Sequence, residues 1–281
     1  SSIQEKTGWR GGIIRMGNYT MDSDTAAYAF YPSGEETGGD MWFNLLSIND
    51  QGEIIGQLSD QDWSNGTGEF TVFMHELGHA LGLKHPFDGV PILPPVTDNE
   101  VYTLMSYTPR PDFISPSTHS LYDIHELQSL YGANMNTRTG DDVYSISNTW
   151  GSQIAAWTIW DAGGTDTLSA EGSFSNCVVD LREGRISSIG LASNNIALAM
   201  NVQMENAIGS SRNDTIFGNE GGNVIDGGAG EDEIHGFGGT DTMTGGANND
   251  TFVLGVADGD DFIFENQLAG WDTVRFREFP G

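Results

Sequence analysis

The sequence predicts two parts of different class: an α+β domain over residues 1–133 and an all-β domain over residues 134–281. Two observations carry this division. "HELGHALGLKH", residues 75–85, reads as a helix that stops abruptly, and the runs before it are apolar, aromatic and strand-like. From residue 209 the chain instead repeats every nine residues, rich in glycine and aspartate.

In chain order, "GGIIRMGNY" (11–19), "TAAYAFYP" (25–32) and "GDMWFNLL" (39–46) read as strands separated by turn residues. Phe70 to Leu83 is rich in helix-compatible residues, and Gly82 stands where the chain must turn. A second helix, "SLYDIHELQSLYG" (120–132), has leucines at helical spacing and closes the first domain.

The chemistry of residues 75–85 follows from their spacing. His75 and His79 are i and i+4, so on a helix their imidazoles leave one face, one turn apart. Two such rings can hold one divalent ion, and a left-handed turn at Gly82 returns His85 as a third ligand. Catalytic zinc typically takes three protein ligands and a water whose pKa falls to about 7. Glu76 projects about 100° around the helix from His75, where it can take that water's proton and pass it to a leaving amine. His119, His125 and His235 share no such spacing and read as surface or packing residues, with His119 the nearest to the cleft.

Composition limits the partners. The 281 residues include 38 glycines, 11 Lys plus Arg and 40 Asp plus Glu, a formal net charge of −29. A polyanion would be repelled, which excludes nucleic acid, whereas hard cations with oxygen ligands are favoured. A single cysteine, Cys177, leaves no internal disulfide framework. No run of about 18 apolar residues and no basic-then-apolar leader occurs, so no membrane span and no Sec-type signal are expected.

Five nine-residue rows align without gaps from 209 to 253. The eighth place is apolar throughout, at Ile216, Ile225, Ile234, Met243 and Phe252. The sixth is Asp214, Asn223, Asp232, Asp241 and Asp250, and the fourth-place glycine survives at Gly221, Gly230 and Gly239 but is Arg212 and Asn248 in the end rows.

These two patterns carry a resemblance. The stretch H-E-x-x-H-x-x-G-x-x-H resembles the metzincin metalloprotease signature, and "TLMSYTP" (103–109) supplies the methionine turn that metzincins place under the zinc ligands, here Met105. The sequence M-S-Y narrows the resemblance to serralysins and astacins. It implies that Tyr107 ligates the resting zinc and swings aside to hydrogen-bond the tetrahedral intermediate. The rows resemble the G-G-x-G-x-D-x-U-x repeat of RTX proteins, which implies a parallel β-roll with calcium held in its turns. Rows two apart would stack, grouping Asp214, Asp232 and Asp250 on one edge and Asn223 with Asp241 on the other. Backbone at Gly228, Gly230 and Gly239 would complete the ligand set.

"YGANMNTRTGDDVY" (131–144), "WDAGGTDTL" (160–168) and "MENAIGS" (204–210) extend the likeness to serralysins over almost the whole chain. Carried over, the family's further calcium positions are Arg138, Gly140 and Asp142, then Asp161, Gly163, Gly164 and Asp166, then Glu205. The resemblance implies a secreted, zinc-dependent, calcium-stabilised endopeptidase, exported by the type I route. Its expected partners are protein or peptide substrates, added antiparallel to the second strand, and a proteinaceous inhibitor. It is expected to act as a monomer. The alternative is a non-catalytic calcium-binding RTX module for adhesion or surface attachment, with a disabled protease half. The expected fold is thus an N-terminally truncated metzincin-like domain followed by a β-roll. No long amphipathic helix precedes His75, the 86–102 loop is short, and "VRFREFPG" ends the chain soon after the rows, so a fragment or processed form is expected.

Overall fold

The computed structural model describes residues 14–19, 26–35, 37–44, 46–48, 54–57, 64–146, 156–255, 258–265 and 270–277. By contacts the chain separates into two units, one of Ser1–Pro109 with Ser115–His119, the other of Arg110–Ile114 with Ser120–Gly281.

In the first unit, β1 (Met16–Tyr19) runs parallel to β3 (Met41–Asn44), and β2 (Ala27–Ala29) pairs antiparallel on the other side of β3. All three strands fall inside the runs expected from sequence, although residues 11–13, 25 and 45 of those runs lie outside the described residues. The order β1-β3-β2 leaves β2 terminal in its sheet. A short antiparallel pair follows, β4 (Leu46–Ile48) with β5 (Ile54–Gln57).

The helix α1 (Gly68–Ala80) starts at Thr67, whose hydroxyl accepts the Phe70 N–H at 3.2 Å. It therefore begins two residues before, and ends three before, the span expected from sequence. Its end is a Schellman turn: the Leu83 N–H reaches the Gly78 carbonyl, the Gly82 N–H reaches that of His79, and Gly82 takes φ 101°. Ala80, Leu77 and Phe73 pack with Met41, Phe43, Ala27 and Ala29, so burial against the sheet fixes which helix face remains for chemistry.

The second unit opens with α2 (Leu121–Tyr131), capped by Ser120, whose N–H donates to Asp123 Oδ2 at 3.0 Å. The sequence places this helix at the end of the first domain; by contacts it belongs with the second unit, where Ile124 packs against the large core. The strands that follow are β6 (Val143–Ser145), β7 (Trp157–Ile159), β8 (Thr167–Ser169), β9 (Val178–Asp180), β10 (Ile186–Ser187), β11 (Ile196–Leu198) and β12 (Asn206–Ile208). After them come β13 (Thr215–Phe217), β14 (Val224–Ala229), β15 (Glu233–His235), β16 (Thr242–Ala247), β17 (Thr251–Leu254), β18 (Phe262–Phe264) and β19 (Thr273–Phe276).

Two parallel sheets face each other across one core. Their orders are β18-β16-β14-β12-β8-β6 and β19-β17-β15-β13-β9. Successive strands alternate between the sheets, so rows two apart become neighbours: Ile216 pairs in register with Ile234 and then Phe252, and Ile225 with Met243. Side chains alternate across a strand, so the eighth place points inward while the seventh and ninth point out. Ile216, Ile225, Ile234, Met243 and Phe252 are accordingly buried. The parallel β-solenoid expected from the rows is the fold of this region.

The solenoid continues beyond the five rows. Ile263 lies in register with Met243, and Val274 with Phe252. "GDDFI" (259–263) and "GWDTV" (270–274) are thus two more G-x-D-x-U rows, which the gapless nine-residue count misses because Asp250, Asp261 and Asp272 stand eleven apart.

Candidate functional site

Each imidazole of the first motif has one nitrogen fixed by an oxygen. His75 Nδ1 lies 2.7 Å from the Leu104 carbonyl and His79 Nδ1 lies 2.8 Å from that of Leu83. A carbonyl only accepts, so both Nδ1 atoms carry the proton. His85 Nδ1 faces Asp88 Oδ2 at 2.8 Å. The three Nε2 atoms then carry bare lone pairs, and the rings place one ligand nitrogen each within 4.8 Å of one another. His79 Nε2 and His85 Nε2 stand 3.0 Å apart. Two lone pairs at that distance repel unless a cation lies between them. Burial lowers the pKa of His75 to about 4, with His79, His85 and His119 adding to the effect, and burial likewise lowers that of His79. A proton is therefore a poor occupant at His75 and His79, and three imidazoles oriented by oxygen acceptors are the donor set of a zinc ion.

Beneath them, the turn holding Met105 packs on the helix. A Cβ added to Gly78 would lie 2.5 Å from Met105 Sδ, so only glycine lets the buried methionine reach this floor without displacement. Ser106 Oγ donates to Asp98 Oδ1 at 2.6 Å and accepts the Thr108 N–H at 3.1 Å, which fixes the turn that carries Tyr107. His119 is buried near Gly78.

Glu76 is almost fully buried, and its Oε2 has no hydrogen-bond partner. Burial raises its pKa to about 7, within reach of a proton-transfer role near neutrality. Tyr107 is 69% exposed at the rim, its ring 4.7 Å from that of His85 and 5.8 Å from that of His75. Burial first, then the charges of Glu76 and Asp88, raise its pKa, so the phenol keeps its proton.

Sequence reasoning missed four partners. Asp88 orients His85, the Leu104 and Leu83 carbonyls orient His75 and His79, and Tyr31, just beyond β2, sets its ring 5.4 Å from that of His79. A backbone carbonyl leaves no sequence signal. Asp88 lies in a loop without a periodic pattern, and Tyr31, although inside the 25–32 run read as a strand, lies beyond the end of β2.

A second donor set lies in the solenoid turns. Asp142, Asp161 and Asp166 bring one carboxylate oxygen each within 4.8 Å of one another. Asp166 Oδ1 accepts the Asp142 N–H at 2.8 Å, and Glu205 Oε2 accepts that of Asp166 at 2.8 Å. Gly163 donates its N–H to Asp161 Oδ1, and Arg138 lies over the Tyr144 ring. Gly164, at φ 151°, packs so closely on Gly140 that an added Cβ would lie 2.2 Å from the Gly140 carbonyl oxygen.

The same device recurs along both edges. Asp232 Oδ1 accepts the Asp214 N–H, Asp250 Oδ1 that of Asp232, and Asp241 Oδ1 that of Asn223, at 2.8 to 2.9 Å. The second oxygen of Asp166, Asp232, Asp241 and Asp250 is buried without a partner. Burying an unpaired carboxylate oxygen is costly, and a hard cation relieves it. Gly228, Gly230 and Gly239 take positive φ, and each rests on the backbone of the turn one coil earlier. Asn223 differs: its side-chain nitrogen donates to the carbonyls of Met204 and Glu205, at 3.3 and 3.1 Å. An amide group occupies the place where the other rows present a carboxylate.

A family model described as Peptidase M10 serralysin C terminal matches residues 122–272, more than half of the chain. The chain belongs to the serralysin family. A second model, described as Matrixin, matches residues 15–132. Serralysin G of Dickeya chrysanthemi is 37% identical over 233 residues, 73% of this chain and 47% of the relative. Serralysin of Proteus mirabilis is 34% identical over 241 residues, 75% and 47% respectively. Metallopeptidase AprA of Pseudomonas marginalis is 36% identical over 254 residues, 79% and 51%. The chain spans about half the length of the curated relatives it matches. Serralysins are zinc metalloproteases with calcium-binding carboxy-terminal domains, and the two donor sets described above fit those ions.

Proposed function

We propose that this serralysin-family chain is a zinc-dependent endopeptidase of a secreted protein, with residues 1–133 carrying the chemistry and residues 134–281 forming its calcium-stabilised roll. The observation that carries the proposal is the convergence of three bare Nε2 atoms, from His75, His79 and His85, next to a buried, unpartnered oxygen of Glu76. Zinc held there would polarise the scissile carbonyl and acidify a water. Glu76 takes the proton of the attacking water at its free oxygen and returns it to the departing amine. Tyr107, protonated and at the rim, donates to the oxyanion of the tetrahedral intermediate. Leu104, Leu83 and Asp88 hold the three rings in the tautomer that leaves Nε2 free.

A peptide substrate adds as a strand to β2, whose terminal place in its sheet leaves backbone groups for β-augmentation. A proteinaceous inhibitor would use the same edge, and the chain acts as a monomer. In the roll, calcium is held by Asp142, Asp161, Asp166, Glu205, Asp214, Asp232, Asp241 and Asp250, with backbone groups of Arg138, Gly140, Gly163, Gly164, Gly228, Gly230 and Gly239. No helix among the described residues is long and apolar enough to cross a membrane. Folding that waits for extracellular calcium suits export by the type I route.

A non-catalytic attachment module would have no use for a desolvated glutamate beside three metal-ready imidazoles. Casein hydrolysis decides between the readings. It should vanish with a zinc chelator and return with added zinc; a zinc-loaded chain that cleaves nothing rejects the proposal.

A further inference from the structure

The loop that follows the third histidine carries an apolar surface that the chemistry proposed above does not use. Phe87, Val90 and Ile92 are 43%, 91% and 59% exposed. Single exposed apolar side chains are ordinary, but three on one short loop beside a reactive centre point to a ligand that covers them.

The loop holds its shape without help from those side chains. Lys84 Nζ donates to the carbonyls of Asp88 and Pro91, at 2.7 and 3.3 Å, and the Leu93 N–H reaches that of Pro86 at 3.0 Å. Gly89, at φ 71°, turns the chain between them. Both charged groups of the loop are thereby engaged, Lys84 with main-chain oxygens and Asp88 with His85 Nδ1. What it offers a ligand is apolar and already ordered, so little entropy is lost when the ligand arrives.

Phe87 is the member that reaches the imidazoles. Its ring lies 9° from parallel to that of His85, with centroids 5.0 Å apart, and stands 5.1 Å from the Tyr107 ring at 56°. Support for His85 does not account for this place. Asp88 already orients His85, and a phenylalanine serving only as support would gain by burying the rest of its ring. Phe87 and Tyr107 instead form two exposed, mutually tilted walls beside a zinc ligand. Aromatic rings favour offset-stacked or edge-to-face contacts with centroids about 4.5–7 Å apart, and two tilted rings offer both to a third.

We propose that Phe87, with Tyr107 beside it, is a specificity-determining residue that accepts an aromatic side chain of the peptide substrate, from a residue flanking the scissile bond. The inference rests on the zinc-peptidase reading, which puts that bond at the ion held in part by His85. A side chain next to the bond then comes within reach of the ring stacked on His85.

The test uses the full, zinc-loaded chain and peptides of one sequence in which each residue flanking the scissile bond is phenylalanine, leucine or glycine in turn. At one of the two positions, kcat/KM should favour phenylalanine over glycine by at least about tenfold and over leucine by about threefold. Phe87→Ala should lower the phenylalanine-to-glycine ratio about tenfold while one zinc per chain remains by metal analysis. Phe87→Tyr, which keeps the ring, should keep the preference. Binding is read separately in the Glu76→Gln chain, which holds the same peptides without turning them over. Adding Phe87→Ala there should raise the Kd of the phenylalanine peptide about tenfold more than that of the glycine peptide. Ratios unchanged in Phe87→Ala overturn the proposal, and so does an equal loss on every peptide accompanied by lost zinc, which would make Phe87 a support for His85. An unaltered chain that cleaves neither these peptides nor casein rejects the peptidase reading itself, and this proposal with it.

Discussion

At the scale of single residues, the candidate zinc centre separates holding from reacting. The three histidines are fixed from behind by oxygen acceptors, whereas Glu76 is left with an unpaired buried oxygen. Such an oxygen is costly unless it is used, and the mechanism proposed above puts its work at the reacting water and not at the metal. Glu76→Gln should therefore retain one zinc per chain by metal analysis while turnover falls at least about 100-fold. Near-normal hydrolysis by the variant would remove Glu76 from the mechanism. Tyr107 stacks loosely on His75 and His85 at an exposed rim. If its bond is made mainly in the transition state, Tyr107→Phe lowers kcat more than it raises KM. A change confined to KM would make it a substrate-binding group. His75 and His79 were legible because helical geometry converts their spacing into a shared face, and Glu76 and His85 because their places relative to that pair follow from the helix and from the turn at Gly82. Asp88 and Tyr31 were not, since only the folded loops bring them there.

At the scale of elements, glycine and aspartate divide the labour of the roll. Aspartate ties each coil to the next by accepting its neighbour's N–H, while positive-φ glycine lets one turn sit directly on the last. At Gly246 both constraints coincide: φ is 104°, and an added Cβ would lie 2.0 Å from the carbonyl oxygen of Gly228. Neither atom is the end of a flexible side chain. Gly246→Ala should therefore cost well above the roughly 1 kcal/mol typical of a lost left-handed glycine. Unfolding of the roll, followed by circular dichroism in calcium, would read this as a lower midpoint; an unchanged midpoint would mean that the turns are not packed in this way. The inward eighth place and the pairing of alternate rows were plain from the repeat. The last two rows were hidden, because two added residues between successive aspartates break the period without breaking the register of Met243 with Ile263 and Phe252 with Val274.

At the scale of the molecule, the two units rest on different supports. The first has an apolar helix–sheet contact among Met41, Phe43, Phe73 and Leu77. The second lines its edges with buried aspartates whose second oxygens are unpaired. With a formal net charge of −29, the chain offers few cations to offset them. Calcium removal by a chelator that leaves zinc in place should open the region after residue 200 to proteolysis before the region around α1. Rows that stay protected with no calcium bound would contradict this.

The pH dependence of the same region should change sign with calcium. Without the ion, burial foremost, with Asp214, Asp250 and Asp226 adding to it, raises the pKa of Asp232 to about 7, and burial foremost holds Asp241 and Asp250 at about 6. An unfolded aspartate titrates near about 3.9, so between these values the folded calcium-free roll binds more protons than the unfolded chain. Its stability is then fullest below the unfolded value and is lost as pH rises through about 6 to 7. With calcium bound, the ionised carboxylates are the favoured form, so the stability that calcium contributes is lost as pH falls instead. Thermal midpoints of the roll measured from pH 5 to pH 8 should thus fall with rising pH in chelator, while in calcium the roll should hold its stability at the upper end of that range and lose it only on acidification. A midpoint in chelator that rises with pH would show that these aspartates are not the desolvated carboxylates on which the calcium sites are built.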